Sequence, residues 1–216
     1  MSGSGPLTGL LGGSFNPAHG GHRRISLFAL DALALDEVWW LVTPGNPLKP
    51  KENRAPLAAR VASAHLQARR ARIRATAIER ELGTVFTVDT LRALVRRYPR
   101  RRFVWIMGAD NLAQFHRWRR WRDIARTMTI AVVARPGYDA AALASPAMAW
   151  LSRFRRRPDS VSNPAIWSAP ALILLRFDPD PRSSSAIRAV DPGWDRRFRR
   201  SARDAVTHRL VPLERA

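Results

Sequence analysis

The sequence contains no cysteine. Disulfides, thiolate nucleophiles and cysteine-based zinc sites are therefore excluded, and a reducing, cytoplasmic setting is expected. Lysine is almost absent: of 37 basic residues, all but Lys49 and Lys51 are arginine. Acidic residues number 17, which leaves a formal net charge of +20. No apolar run reaches the roughly 18 residues that a membrane-spanning helix needs. The start, Met1-Ser2-Gly3-Ser4-Gly5, lacks the basic segment and apolar core of a signal peptide, so no membrane partner is expected. Walker A and GxGxxG spacings are missing, as are internal repeats and low-complexity tracts.

What is present fits one globular domain over residues 1–216, with 46% hydrophobic residues. Apolar runs at 7–11, 37–42, 72–78, 102–107, 127–134 and 171–177 read as strands. Helical patterns at about 22–35, 56–70, 87–97 and 111–126 separate them. This alternation predicts an α/β fold, a Rossmann-like doubly wound parallel sheet. Residues 137–170, with prolines at 146, 158, 164 and 170, read as an irregular insertion holding a short helix over 140–156. Residues 183–216 read as helical, broken at Pro192-Gly193.

The most informative stretch is Gly12-Gly13-Ser14-Phe15-Asn16-Pro17-Ala18-His19-Gly20-Gly21-His22. A strand, a glycine turn and two imidazoles at a helix start suit phosphate. Glycines let backbone N–H groups approach an anion, the helix dipole favours it, and imidazoles can donate to its oxygens. In open α/β sheets such a turn lies at the carboxyl ends of the strands, where ligands bind.

Five other segments fall at strand ends or helix starts. Thr43–Lys51 is a proline-fixed loop holding both lysines. Glu79–Leu91 offers Thr87 or Asp89 as a helix cap. Met107-Gly108-Ala109-Asp110 places an acid where ribose hydroxyls are held in other nucleotide-binding sheets, and Trp118 beyond it reads either as core or as an aromatic platform. Arg135-Pro136-Gly137 sets a planar fork after the fifth strand. Arg182-Ser183-Ser184-Ser185-Ala186-Ile187-Arg188 sets serines and an arginine at a helix start.

The Gly12–His22 run resembles the first motif of the nucleotidyltransferase superfamily marked by His-x-Gly-His. From about residue 7 to about residue 190 the chain is similar to one branch, the bacterial nicotinate-nucleotide adenylyltransferases. The resemblance implies an enzyme of NAD biosynthesis that joins nicotinate mononucleotide to the AMP part of ATP, with Mg2+, giving deamido-NAD and pyrophosphate. It implies ATP contacts from Gly12, Gly13, Ser14, Phe15, His19, His22, Gly108, Asp110, Ser184, Ser185 and Arg188, with His19, His22 and Arg188 acting in catalysis. It implies nicotinate-nucleotide contacts from Asn46, Lys49, Thr87, Trp118, Arg119 and Arg135, and no protein metal site. Arg182 stands where the family has isoleucine, Phe86 where tyrosine is common, and Leu48-Lys49 interrupt the family's proline-histidine-lysine order.

Nicotinamide mononucleotide is the nearest rival substrate, followed by pantetheine phosphate within the superfamily. From another class, the net charge of +20 would suit an RNA-binding protein. The arginines are scattered, however, and no RNA-binding module motif is present, so anionic small molecules are the expected partners rather than nucleic acid. A homo-oligomer is compatible with the sequence.

Overall fold

A computed structural model describes residues 5–45, 54–134, 139–157, 168–177, 182–198 and 200–213. Asn46, Lys49 and Arg135 lie outside the described residues.

The first unit is strand β1 (Leu7–Gly13), helix α1 (Gly20–Ala32) and strand β2 (Glu37–Val42). Helix α2 (Leu57–Ala68), β3 (Ile73–Thr76), α3 (Ile78–Leu82) and α4 (Thr87–Arg97) follow. Then come β4 (Arg102–Gly108), α5 (Ala109–Gln114), a single 3-10 turn at Phe115–Arg117, α6 (Trp121–Thr127) and β5 (Thr129–Ala134). Two short helices, α7 (Asp139–Leu143) and α8 (Pro146–Leu151), precede β6 (Arg155–Arg156) and β7 (Leu172–Arg176). Helix α9 (Ser184–Val190) and a 3-10 turn at Trp194–Arg197 lead to an antiparallel pair, β8 (Ala202–Arg203) and β9 (Leu210–Val211).

The main sheet runs β3-β2-β1-β4-β5-β7-β6, and every pairing in it is parallel. Strand order reverses between β1 and β4, so the loops after Gly13 and Gly108 flank the crevice where such sheets take ligands. The central strands β1, β2, β4 and β5 are predominantly apolar because helices cover both faces. Val38, Trp40 and Val42 pack toward one layer with α1 and α2, while Trp39 and Leu41 join the opposite layer with α4, α5, α6 and α8. The same alternation splits Val104 and Ile106 from Phe103, Trp105 and Met107.

The doubly wound parallel sheet is the fold that the alternation predicts. Three local readings need correction. The helix expected over 111–126 is interrupted, because Trp118 is extended and Arg120 adopts a left-handed φ of 51° before α6 starts. The expected helix over 140–156 is α7 and α8 followed by a two-residue strand, β6, whose exposed arginines carry no apolar alternation. The C-terminal part is helical only to Arg197 and closes in the β8–β9 hairpin.

That hairpin is fastened by one buried acid. Asp204, 1% exposed, accepts from the Thr76 hydroxyl (2.8 Å) and from the backbone N–H groups of Ala77 (2.6 Å), Val206 (2.8 Å) and Thr207 (2.9 Å). Four donors converge on one carboxylate, and removing it strands them in the interior. Asp204→Ala is expected to cost about 3 kcal/mol or more, read as a lowered denaturation midpoint. An unchanged midpoint would contradict this role.

Candidate active site

The two histidines cap α1 reciprocally. His19 is the N-cap residue, and its Nδ1 accepts from the Gly21 N–H at 3.1 Å. His22, three residues on, accepts the His19 N–H through its own Nδ1 at 3.2 Å. This is a capping box built from imidazoles instead of a hydroxyl and a carboxylate. A backbone N–H can only donate, so both Nδ1 atoms present lone pairs, and each neutral ring carries its proton on Nε2. The rings lie 3.9 Å apart between centroids.

Several contacts fix this pair. The His22 ring lies 4.7 Å from Phe15 and 6.0 Å from Trp40, and Phe15 stacks on Trp40 at 5.1 Å. Phe15 holds a left-handed φ of 46°, a costly conformation for a bulky residue, and is 1% exposed within this stack. The Trp40 indole donates to Ser26, which donates to the His22 carbonyl, tying the first turns of α1 to the sheet. Gly12 has no room for a side chain, because a Cβ there would lie 2.5 Å from the Trp105 ring. Gly13 ends β1, and its carbonyl accepts the Thr43 N–H at 3.1 Å.

Beneath this turn lies Arg60, which the sequence pattern did not single out. It is 1% exposed, and its guanidinium donates to the carbonyls of Ala55 (2.9 Å), Ser14 (2.9 Å), Thr43 (2.7 Å) and Pro44 (3.5 Å). One cation thus joins the loops after β1 and β2 and the start of α2. Asn16 adds to the joint by accepting the Ala55 N–H at 3.2 Å.

Helix α9 is docked on the same turn. Ser184 donates to the Pro17 carbonyl at 2.9 Å. Arg188 donates to the Asn16 carbonyl at 2.6 Å and to the Ser185 hydroxyl at 3.2 Å. The cap of α9 is Ser183, which accepts from the Ala186 N–H at 3.1 Å. The serines and arginine of this segment therefore lie beside the histidine turn although Ser184 and Pro17 are 167 positions apart in the chain.

Across the crevice, Gly108 is the N-cap of α5 and Asp110 is exposed in its first turn. Trp118 is half-buried, edge-on to Trp105 at 6.3 Å and to Phe115 at 5.4 Å, so the ring packs partly against the core and is left partly exposed. Arg119 lies over the Phe86 ring at 4.5 Å, which brings the 118–119 loop to the start of α4. Neither Thr87 nor Asp89 caps α4. The N-cap is Phe86, whose side chain makes no hydrogen bond to the first N–H groups of this helix. Thus Gly12–Phe15, His19, His22, Ser184, Ser185 and Arg188 form one cluster, and Thr87, Trp118 and Arg119 form a second near α4. Among the described residues no group of three or more His, Asp or Glu side chains is placed to hold a metal ion.

Glu79 underlies the second cluster. It is 8% exposed, and burial pushes its carboxyl from 4.5 up to about 7, against the opposing influence of the Thr43 and Thr90 hydroxyls. Thr90 donates to Oε1 at 3.2 Å, whereas the Thr43 hydroxyl gives its proton to the Gly45 carbonyl. Glu79 Oε2 has no hydrogen-bond partner among the described residues. Between pH 4.5 and about 7 the folded chain keeps a proton that the unfolded chain has lost, so this group lowers stability as pH rises through that window. Glu79→Gln is expected to exceed the wild type by up to about 3 kcal/mol near pH 8 and to match it near pH 4. Denaturant titrations at both pH values test this, and a difference independent of pH would contradict it.

Comparison with known proteins bears on the family and the fold. The family model described as cytidylyltransferase-like matches residues 10–190. A protein of Erythrobacter litoralis named "probable nicotinate-nucleotide adenylyltransferase" is 67% identical over 96% of this chain and 95% of its own length. One of the same name from Bradyrhizobium is 51% identical over 86% of this chain and 97% of its own. In fold, the chain is similar to the nicotinic acid mononucleotide adenylyltransferase of Plasmodium falciparum complexed with NaAD, at 15% identity and a TM-score of 0.61, over 85% of this chain and 83% of that one. No helix among the described residues is long and apolar enough to cross a membrane. On these matches and on the histidine-capped turn at its switch point, the chain belongs to the cytidylyltransferase-like family, in its nicotinate-nucleotide adenylyltransferase branch.

Proposed function

We propose that the chain transfers the adenylyl group of ATP to nicotinate mononucleotide, giving deamido-NAD and pyrophosphate. The observation that carries the reading is the reciprocal histidine cap, which fixes two Nε2–H donors at a helix N-terminus. A phosphate oxygen of the mononucleotide attacks the α-phosphorus of ATP. The bond from that phosphorus to the bridging oxygen breaks, and pyrophosphate leaves with the electron pair. An ionised phosphate is already nucleophilic, so the chain's contribution is positioning and charge stabilisation.

In this reading Gly12–Phe15, His19 and His22 hold the triphosphate, and the imidazoles donate to oxygens whose charge grows in the transition state. Ser184, Ser185 and Arg188 receive the departing pyrophosphate. A guanidinium has five N–H donors, and the two bonds of Arg188 to Asn16 and Ser185 anchor it beside that group. Asp110, in the first turn after Gly108, accepts from ribose hydroxyls. The uncapped start of α4 at Thr87 and the nearby Arg119 favour a carboxylate on the pyridine ring over an amide, and Trp118 offers a face to that ring. Asn46, Lys49 and Arg135 complete the mononucleotide contacts by family resemblance. Family members work with a divalent metal and ATP. Magnesium, when bound with ATP, supplies neutralising charge on the phosphate oxygens and needs few protein ligands.

His22→Ala is expected to lower kcat by about 100- to 1000-fold, the cost of one preorganised donor, while loss of its half of the cap costs about 1 kcal/mol of stability and leaves the fold intact. Near-normal turnover by the folded variant would overturn its role. For the function itself, pyrophosphate release should require ATP, magnesium and nicotinate mononucleotide together. Replacing the acid by nicotinamide mononucleotide should lower kcat/KM about tenfold or more, equivalent to about 1.4 kcal/mol. Release without any mononucleotide, or a kcat/KM for the amide equal to or above that for the acid, would contradict the proposal.

A further inference from the structure

We propose that Glu79 is a positioning residue for the mononucleotide: as a neutral acid it joins the start of α4 to the loop after β2, and its ionisation weakens substrate binding. The inference rests on the adenylyl-transfer reading and adds to it a residue with no assigned part in that reaction. Glu79 lies on α3, which packs against β2 and α4.

One carboxyl oxygen is committed to α4. Thr90, at the end of the first turn of that helix, donates to Oε1 at 3.2 Å. A hydroxyl has one proton, so in the 2.8 Å contact between Thr84 and Thr90 the donor is Thr84. The Thr84 N–H donates in turn to the Glu79 carbonyl at 3.1 Å. Residues 84–90, with Thr87 among them, are thereby folded around this acid. The other oxygen, Oε2, is buried and has no hydrogen-bond partner among the described residues. The Thr43 hydroxyl is close enough to act on the carboxyl, but its proton goes to the Gly45 carbonyl at 2.8 Å. Towards Glu79, Thr43 can therefore only accept. A proton on Oε2 completes one directed chain, from Thr84 to Thr90, Glu79, Thr43 and Gly45, in which every hydroxyl donates once. Ionised Glu79 leaves the step to Thr43 without a proton. It also sets a negative charge beneath the helix start that, in this reading, receives a carboxylate.

The surrounding charges have other partners or lie on neighbouring segments. Arg60 on α2 donates to the Thr43 carbonyl at 2.7 Å, Arg54 lies beside Gly45, and Arg119 sits over Phe86. Asp89 is in the first turn of α4, and Arg92 pairs with Asp123. On α3, Arg80 is exposed, and Glu81 bonds Thr207 and faces Arg97 and Arg209. On β2, Glu37 is held by Arg74 and Arg101 at the opposite end of the strand. Glu79 makes no ion pair among the described residues.

The test compares wild type with Glu79→Gln, whose amide supplies the neutral acid's acceptor and donor at every pH. Nicotinate mononucleotide binding is measured by calorimetry, and its KM at saturating ATP and magnesium, near pH 6 and near pH 8. With a carboxyl that titrates at about 7, about one molecule in ten stays neutral near pH 8. The wild type should therefore match Glu79→Gln near pH 6 and bind the mononucleotide about tenfold more weakly near pH 8. Comparing the two chains cancels the titration of the mononucleotide's own phosphate. Near pH 8, binding should take up about one proton more in the wild type than in Glu79→Gln. The KM for ATP should be equal in both. A wild-type-to-variant ratio that is the same at both pH values would overturn the inference, because a merely structural effect of the substitution persists at both. Absence of pyrophosphate release by the wild type at either pH would instead overturn the underlying reading.

Discussion

Two backbone N–H groups at the start of α1 donate to imidazole nitrogens, and the character of the site follows from that exchange. An ordinary cap uses a hydroxyl or a carboxylate, leaving no further chemistry at the helix end. Here the capping groups are rings with a second nitrogen. Once Nδ1 has accepted from the backbone, Nε2 must carry the proton of the neutral ring. The histidines are therefore prepared as donors to an anion, a role that suits phosphoryl chemistry in which the nucleophile needs no base.

The cap holds its geometry because tertiary contacts prevent its relaxation. Phe15 and Trp40 wedge the His22 ring, and Ser26 links that indole to the helix. Arg60 is the deeper constraint. Its four carbonyl acceptors come from three segments, so one buried guanidinium ties the loops after β1 and β2 to the start of α2. Helix α9 closes the other side through Ser184 and Arg188. Docking α9 on the histidine turn joins two segments far apart in the chain into one assembly.

The sheet was legible because its strands are apolar on both faces, and Glu37–Val42 and Arg102–Gly108 show this without ambiguity. The histidine turn was legible because glycine, proline and histidine occur there at fixed spacing after a strand. What could not be read depends on distant partners. Arg60 looks like any arginine on a helix until three loops converge on it, and Asp204 looks like a turn residue until Thr76 and Ala77 reach it from 127 or 128 positions away. The raised Glu79 carboxyl arises from burial, which the two acids at 79 and 81 do not signal. The α4 start is hidden in the sequence for a related reason: Thr87 has the chemistry of a cap, but the capping position falls one residue earlier, on Phe86, whose side chain makes no cap hydrogen bond. The net charge of +20 also changes meaning in the fold. Arg23, Arg60 and Arg72 donate to backbone carbonyls, and Arg74 and Arg101 hold Glu37, so several of these cations serve packing.

The claim that organises the site is that both histidines are Nε2–H tautomers fixed by backbone donation. Long-range proton–nitrogen NMR of the ring nitrogens, with the five histidines assigned by single substitutions, reads this directly. In the neutral ring the account predicts a protonated Nε2 and an unprotonated, hydrogen-bonded Nδ1 for both His19 and His22. A proton on Nδ1 of either ring, or fast averaging between tautomers, would contradict it.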